Sequence, residues 1–210
     1  MYLITDQEDK TWRNIQWGEN VIHEETNTNY HFAVYDTPAV ASYMYPAYDA
    51  IAEPKCWIAT GEGVSPGSCG LRKKYAKLTT LKTYPLTVPS KEKRVTYALV
   101  CCLTLIVNPT FRIWALNYLR GTDQTLETLK IIENSLWDQM EQELPPAHDY
   151  CNCAFPLFAG LTNGQIEQYT AYAVHRAYCD SQERNDPLNL DSLAQIVDML
   201  PPEQIAEALA

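Results

Sequence analysis

The sequence predicts an α+β fold: a small α+β N-terminal region over residues 1–88, followed by an all-α region of five or six helices over residues 89–210, the two expected to pack as one unit. Three observations predict it. Before Pro89, apolar residues alternate with polar ones or gather in short blocks bounded by Gly, Pro, Asn and Asp, as strands require. After Pro89 they recur every three or four residues, which lines them along one side of a helix. The chain of 210 residues is 46% apolar, with 14 Tyr, 5 Trp and 4 Phe. Such a chain buries a sizeable core, and global disorder is excluded.

The elements follow in order. Met1–Thr5 and Val21–Glu25 are short strand-like runs, with Trp12 and Trp17 between them. Tyr30–Tyr35 alternates aromatic and small residues and suits a third strand. Asp36-Thr37-Pro38 starts a helix, with Asp36 or Thr37 as N-cap and Pro38 in the first turn. That helix runs through Ala39–Tyr45, where Pro46 disturbs it. Cys56–Thr60 reads as a buried strand and Lys77–Tyr84 as another, rich in Thr and aliphatic residues.

Ser90 is a good N-cap for Lys91–Val107, a helix apolar on almost every face and therefore expected at the centre of the helical region. Asn108-Pro109 opens Thr110–Leu119, which Gly121 closes. Asp123–Glu143 carries the stripe Leu126, Leu129, Ile132, Leu136 and Met140, and Pro145-Pro146 stops it. Thr162-Asn163-Gly164-Gln165 fits a capping box before Ile166–Cys179. Ser192 opens a helix with Leu193, Ile196, Val197 and Leu200 on one side, and Pro201-Pro202 starts a last one, Glu203–Leu209.

Charge is unevenly spread. Residues 1–63 carry ten acids and three bases, residues 64–94 eight bases and one acid, and residues 95–210 fifteen acids and five bases, for a total of −10. An acidic chain repels phosphates, which argues against a nucleic-acid partner. The first residues lack the basic segment and apolar run of a signal peptide. The longest apolar run, Tyr97–Val107, is far short of the roughly 20 residues that span a bilayer. Seven cysteines, an odd number without regular spacing, are expected to be free thiols in a soluble cytoplasmic protein.

Motifs that could carry chemistry are few. Ala147–Cys153 holds His148, Asp149, Cys151 and Cys153, three or four donors for a zinc ion, with Cys179 or His175 as a further ligand. The spacing is unlike a Cys-x2-Cys turn and the segment runs into apolar Ala154–Phe158, so a packed segment is expected, with no metal and no cofactor. Gly63-Val64-Ser65-Pro66-Gly67 matches a nucleophile elbow in letters only. Pro66 lacks the N–H that would hold the oxyanion, and no helix follows. Pro66 also breaks Gly-x-Gly-x-x-Gly over Gly61, Gly63 and Gly67. His23, His31, His148 and His175 have no nucleophile at a recognisable spacing.

The distinctive charge feature is a basic belt: Arg72, Lys73, Lys74, Lys77 and Lys82, then Lys91, Lys93 and Arg94. Neutralisation of the protein's own acids is its first explanation. Docking of an acidic protein partner is the second, and nucleic acid the last, since only Tyr75 and Tyr84 interleave it. If the belt binds, Arg72, Lys73, Lys74, Lys77 and Lys82 are the candidate residues, behind an exposed loop at Pro66–Gly70. Tyr43, Tyr45 and Tyr48 with Met44 form either an aromatic layer over the sheet or a binding patch.

The strings Trp17–Glu24 (WGENVIHE), Tyr30–Ala41 (YHFAVYDTPAVA), Glu53–Trp57 (EPKCW), Lys77–Leu81 (KLTTL), Tyr97–Cys101 (YALVC) and Trp114–Leu119 (WALNYL) resemble a group of uncharacterised proteins encoded by tailed phages and prophages. The resemblance covers residues 1–120 and implies a phage or mobile-element origin, with no assigned catalytic residues. The function expected is therefore a non-enzymatic phage-encoded accessory protein in the host cytoplasm. It would bind a host or phage protein, and inhibition of a host defence system would be its setting. Two alternatives stand beside it. One is an enzyme whose site is not announced, with Tyr30–Thr60 and His31 loosely like the start of an ADP-ribosyltransferase domain. The other is a structural protein of the virion.

Overall fold

The computed structural model describes residues 1–27, 29, 31–47, 51, 53–65, 71–142 and 152–210. Antiparallel strands come first and helices follow, so the chain is α+β. It divides into two compact units, Met1–Pro89 and Ser90–Ala210.

In the first unit the strand blocks are β1 (Tyr2–Thr5), β2 (Lys10–Thr11), β3 (Ile15–Gln16), β4 (Ile22–Glu24), β5 (Phe32–Val34), β6 (Lys55–Ser65) and β7 (Lys73–Tyr84). The main sheet runs β1-β6-β7-β4, and β5 also pairs with β7. Tyr2 and Tyr35 exchange backbone hydrogen bonds of 2.8 and 2.9 Å. The path β1-β6-β7-β5 thus returns to β1, and the curled sheet covers its own edge there. Leu3, Trp17, Phe32, Val34, Trp57 and Leu78 fill its inside, with the Trp17 ring edge-on to Phe32 at 5.4 Å. Asp9, at φ 62, holds the entry to this core. Its carboxylate accepts from Lys55 Nζ at 2.9 Å and Trp57 Nε1 at 3.2 Å, and its carbonyl accepts the Trp17 N–H at 2.7 Å.

The β6–β7 hairpin is longer than the sequence announces, reaching Ser65 and starting again at Lys73. Gly61 and Gly63, which read as turn residues, lie inside the ladder. The Tyr75 ring packs over Gly61, where a Cβ would run into it, and Gly63 takes φ +69. The helix α1 (Pro38–Met44) starts as expected, with the Val40 N–H donating to Thr37 Oγ1 at 3.3 Å.

The second unit holds α2 (Lys91–Leu103), α3 (Pro109–Leu119), α4 (Leu126–Gln142), α5 (Ala154–Asn163), α6 (Ile166–Glu183), α7 (Leu190–Met199) and α8 (Pro202–Leu209). From Arg94 to Leu103 every residue of α2 is buried, and α3, α5, α6 and α7 pack around it. It stops before Val107, because the Leu105 N–H turns back to the Cys102 carbonyl at 3.0 Å and the Thr104 hydroxyl to that of Cys101 at 2.7 Å. Along α4, Leu129, Ile132 and Leu136 are buried as expected, while Leu126 is exposed.

Among the described residues the helical unit has seven helices, where five or six are expected. The apolar run after Cys153 is α5, and its Pro156 sits in the first turn, where no N–H is needed. Gly160 brings α6 close, since a Cβ there would stand 2.8 Å from Tyr169 Cβ. The second difference lies in α7. Its inward line is Leu190, Ala194 and Val197 rather than Leu193, Ile196, Val197 and Leu200. The Tyr97 hydroxyl donates to the Leu190 carbonyl at 3.0 Å and fixes this rotation against α2.

Candidate functional site

The belt residues Lys73, Lys74, Lys77 and Lys82 all lie on β7 rather than in a loop, and Arg72 immediately precedes the strand. Two of their charges are matched by acids of the same unit. Lys73 Nζ meets Asp36 Oδ2 at 2.8 Å, and Lys77, directly opposite Glu62 across the hairpin, meets both its oxygens at 3.3 Å. Further along the chain Lys91 meets Glu167 at 3.5 Å and Lys93 meets Asp198 at 2.9 Å, while Arg94 is buried. Lys74 faces Ala33 in the register and Lys82 faces Ile58. The loop expected at Pro66–Gly70 lies outside the described residues.

His31 and Arg72 line one cavity in the sheet unit, with Thr11, Trp17 and Tyr35, and its volume is about 40 Å³. That holds a few water-sized groups, whereas sites for drug-sized ligands take roughly 300–1,000 Å³. The tyrosine cluster is core: Tyr43, Met44 and Tyr45 are all buried, and Tyr48 lies outside the described residues. Ser65 closes β6, and Pro66 and Gly67 of the Gly63–Gly67 string lie outside the described residues.

Of the proposed zinc ligands, His148, Asp149 and Cys151 lie outside the described residues. Cys153 is buried at the start of α5, and His175 lies on α6 with its Nε2 3.5 Å from Cys179 Sγ. Among the described residues, no group of three or more His, Cys, Asp or Glu is placed to hold a metal ion. Cys179 is disulfide-bonded, which departs from the expectation of free thiols throughout; Cys56, Cys101, Cys102 and Cys153 are free and buried. Burial pushes the Cys56 thiol up to about 12 and raises Cys101 further. The hydrogen bond with Cys102, and then burial, raises Cys153 well above the ordinary range. Buried thiols held protonated in this way are poor nucleophiles.

The remaining feature is the corner between α7 and α8. Met199 is 79% exposed, Ile196 40% and Leu200 38%. The Leu200 N–H closes α7 on the Ile196 carbonyl at 2.9 Å, and Pro201-Pro202 fixes the turn into α8. Between this corner and the first turn of α2 lies an open groove of about 480 Å³, floored by Thr96 and Val197. It continues past Glu92, Thr96, Pro202 and Glu203 into a second groove of about 340 Å³ with walls of Val95, Tyr118, Leu119 and Ile166. Burial, and then the nearby Glu92 carboxylate, pushes the Tyr118 hydroxyl pKa up.

Glu92, Glu167 and Glu203 occupy the first turns of α2, α6 and α8, where acids suit the N-terminal partial charge. Residues 185–210 carry five acids and no Lys or Arg. No family model, curated protein or solved structure matches the chain. No helix among the described residues is long and apolar enough to cross a membrane.

Proposed function

We propose that the chain is a non-enzymatic protein that acts by docking a protein partner, with the α7–α8 corner and its groove as the docking surface. The observation that carries this reading is the pair of apolar lines on α7. Leu190, Ala194 and Val197 already satisfy the core, so Ile196, Met199 and Leu200 are apolar without being needed inside. Single exposed apolar side chains are ordinary, but three close together in sequence, with Met199 and Leu200 lining a groove, mark an interaction surface. Methionine suits such a surface because its unbranched thioether repacks against different partners.

The resemblance of residues 1–120 to phage-encoded proteins supports an accessory role during infection, with a host or phage protein as the partner and a host defence system as the target. Affinity capture from cells expressing the protein tests the reading. A partner retained by the wild type and by Arg72→Glu/Lys73→Glu/Lys74→Glu, but lost from Ile196→Ser/Met199→Ser/Leu200→Ser, is the expected result. A partner that the apolar variant keeps and the belt variant loses would move the site to β7.

A further inference from the structure

We infer that the segment received by the α7–α8 groove is basic and amphipathic, with an apolar side chain for the groove and Lys or Arg beside it. This rests on the docking reading above and adds the chemistry of the partner. Apolar contact comes from Met199 and Leu200 at the corner, and from Val95 and Leu119 in the adjoining groove. Charge decides what can flank it. Three carboxylates line the groove, Glu92, Asp198 and Glu203, and a fourth, Glu167, stands beside it on Lys91. Against them are the two ammonium groups of Lys91 and Lys93, which are already engaged by Glu167 and Asp198.

The N-terminal partial charges of α2, α6 and α8, roughly half a unit each, offset part of this excess and leave the rim negative. The wider field has the same sign, since the corner is built from the stretch with five acids and no base. An acidic segment would meet like charge on approach, and a basic one would be steered in. Asp198 offers the specific contact. Its 2.9 Å bond to Lys93 is exposed, so an incoming arginine, with its planar two-pronged donor, can take the carboxylate in place of the single ammonium.

Fluorescence anisotropy on the full chain tests this with three labelled peptides of one length. The first is an amphipathic Lys/Leu helix, the second the same pattern with Glu for Lys, and the third keeps Lys but has Ser for Leu. The Lys/Leu peptide should bind, and its affinity should fall about tenfold in Met199→Ser/Leu200→Ser. In Glu92→Gln/Glu203→Gln it should fall several-fold with a flatter salt dependence. Glu127→Gln/Glu133→Gln on α4 should change nothing.

If the Glu/Leu peptide binds as tightly and Met199→Ser/Leu200→Ser weakens it, the groove docks proteins but the basic partner is wrong. If no peptide responds to Met199→Ser/Leu200→Ser, the docking surface itself is wrong and the inference goes with it. Equal binding of the Lys/Ser peptide would reduce the effect to unspecific attraction and overturn the inference.

Discussion

The basic belt on β7 and the acidic corner at α7–α8 are opposites in more than charge. The belt is conspicuous in sequence, five bases in eleven positions from Arg72 to Lys82, yet the fold pairs two of them, Lys73 and Lys77, with its own acids. Glu62 stands across the hairpin from Lys77, and Asp36, just before α1, reaches Lys73. The corner is inconspicuous in sequence, a few aliphatic residues in a short amphipathic helix, yet the fold leaves it uncovered. A run of charge therefore marks a partner site only when its neighbours in space do not already answer it. An apolar side chain marks one when the core is complete without it.

Core substitutions sharpen that contrast by showing what an internally used residue costs. Leu99→Ala, at the fully buried centre of α2, should destabilise the helical unit by about 2–5 kcal/mol in urea melts. Gly61→Ala, which forces a methyl into the Tyr75 ring, should cost the sheet unit about 1–3 kcal/mol. Thiols report which unit has opened. Alkylation at pH 8 should be slow at Cys56 and at Cys101 in the native protein. Urea should release Cys56 first in Gly61→Ala and Cys101 first in Leu99→Ala; simultaneous release in both variants would show that the units unfold together.

Smaller effects separate the two surfaces. Lys77→Ala removes an exposed cross-strand pair and should cost at most about 1 kcal/mol, less as salt rises. Met199→Ser should leave stability within about 0.5 kcal/mol of the wild type. If Met199→Ser proves as destabilising as a core substitution, the corner is structural and the contrast fails.

Local capping signals correspond to the structure in part. The capping box expected at Thr162–Gln165 does not form, since Thr162 and Asn163 end α5 and Gln165 precedes α6 without a side-chain cap bond. Asn189 rather than Ser192 caps α7. Thr37, Ser90 and Asn108 each accept the hydrogen bond expected of an N-cap, and α2 is buried as its apolar circumference requires. What sequence alone misses depends on contacts between distant residues. The β6–β7 hairpin extends through two glycines because Tyr75 covers one of them. The facing of α7 follows from the Tyr97 hydroxyl, 93 positions away from the Leu190 carbonyl it binds. The aliphatic residues of the corner were visible as a stripe, but their exposure depends on that rotation. Periodicity fixes where a stripe lies and leaves open which of two adjacent lines turns inward.

Site-specific photocrosslinking tests the central claim most directly. A benzophenone side chain is placed at position 199 in one sample and at position 82 on the belt in another, both irradiated in cells expressing the protein. The account predicts a discrete protein adduct from position 199 that disappears in the presence of Leu200→Asp, and none from position 82. An adduct from position 82 with none from position 199 would contradict it, and so would the absence of any adduct at both.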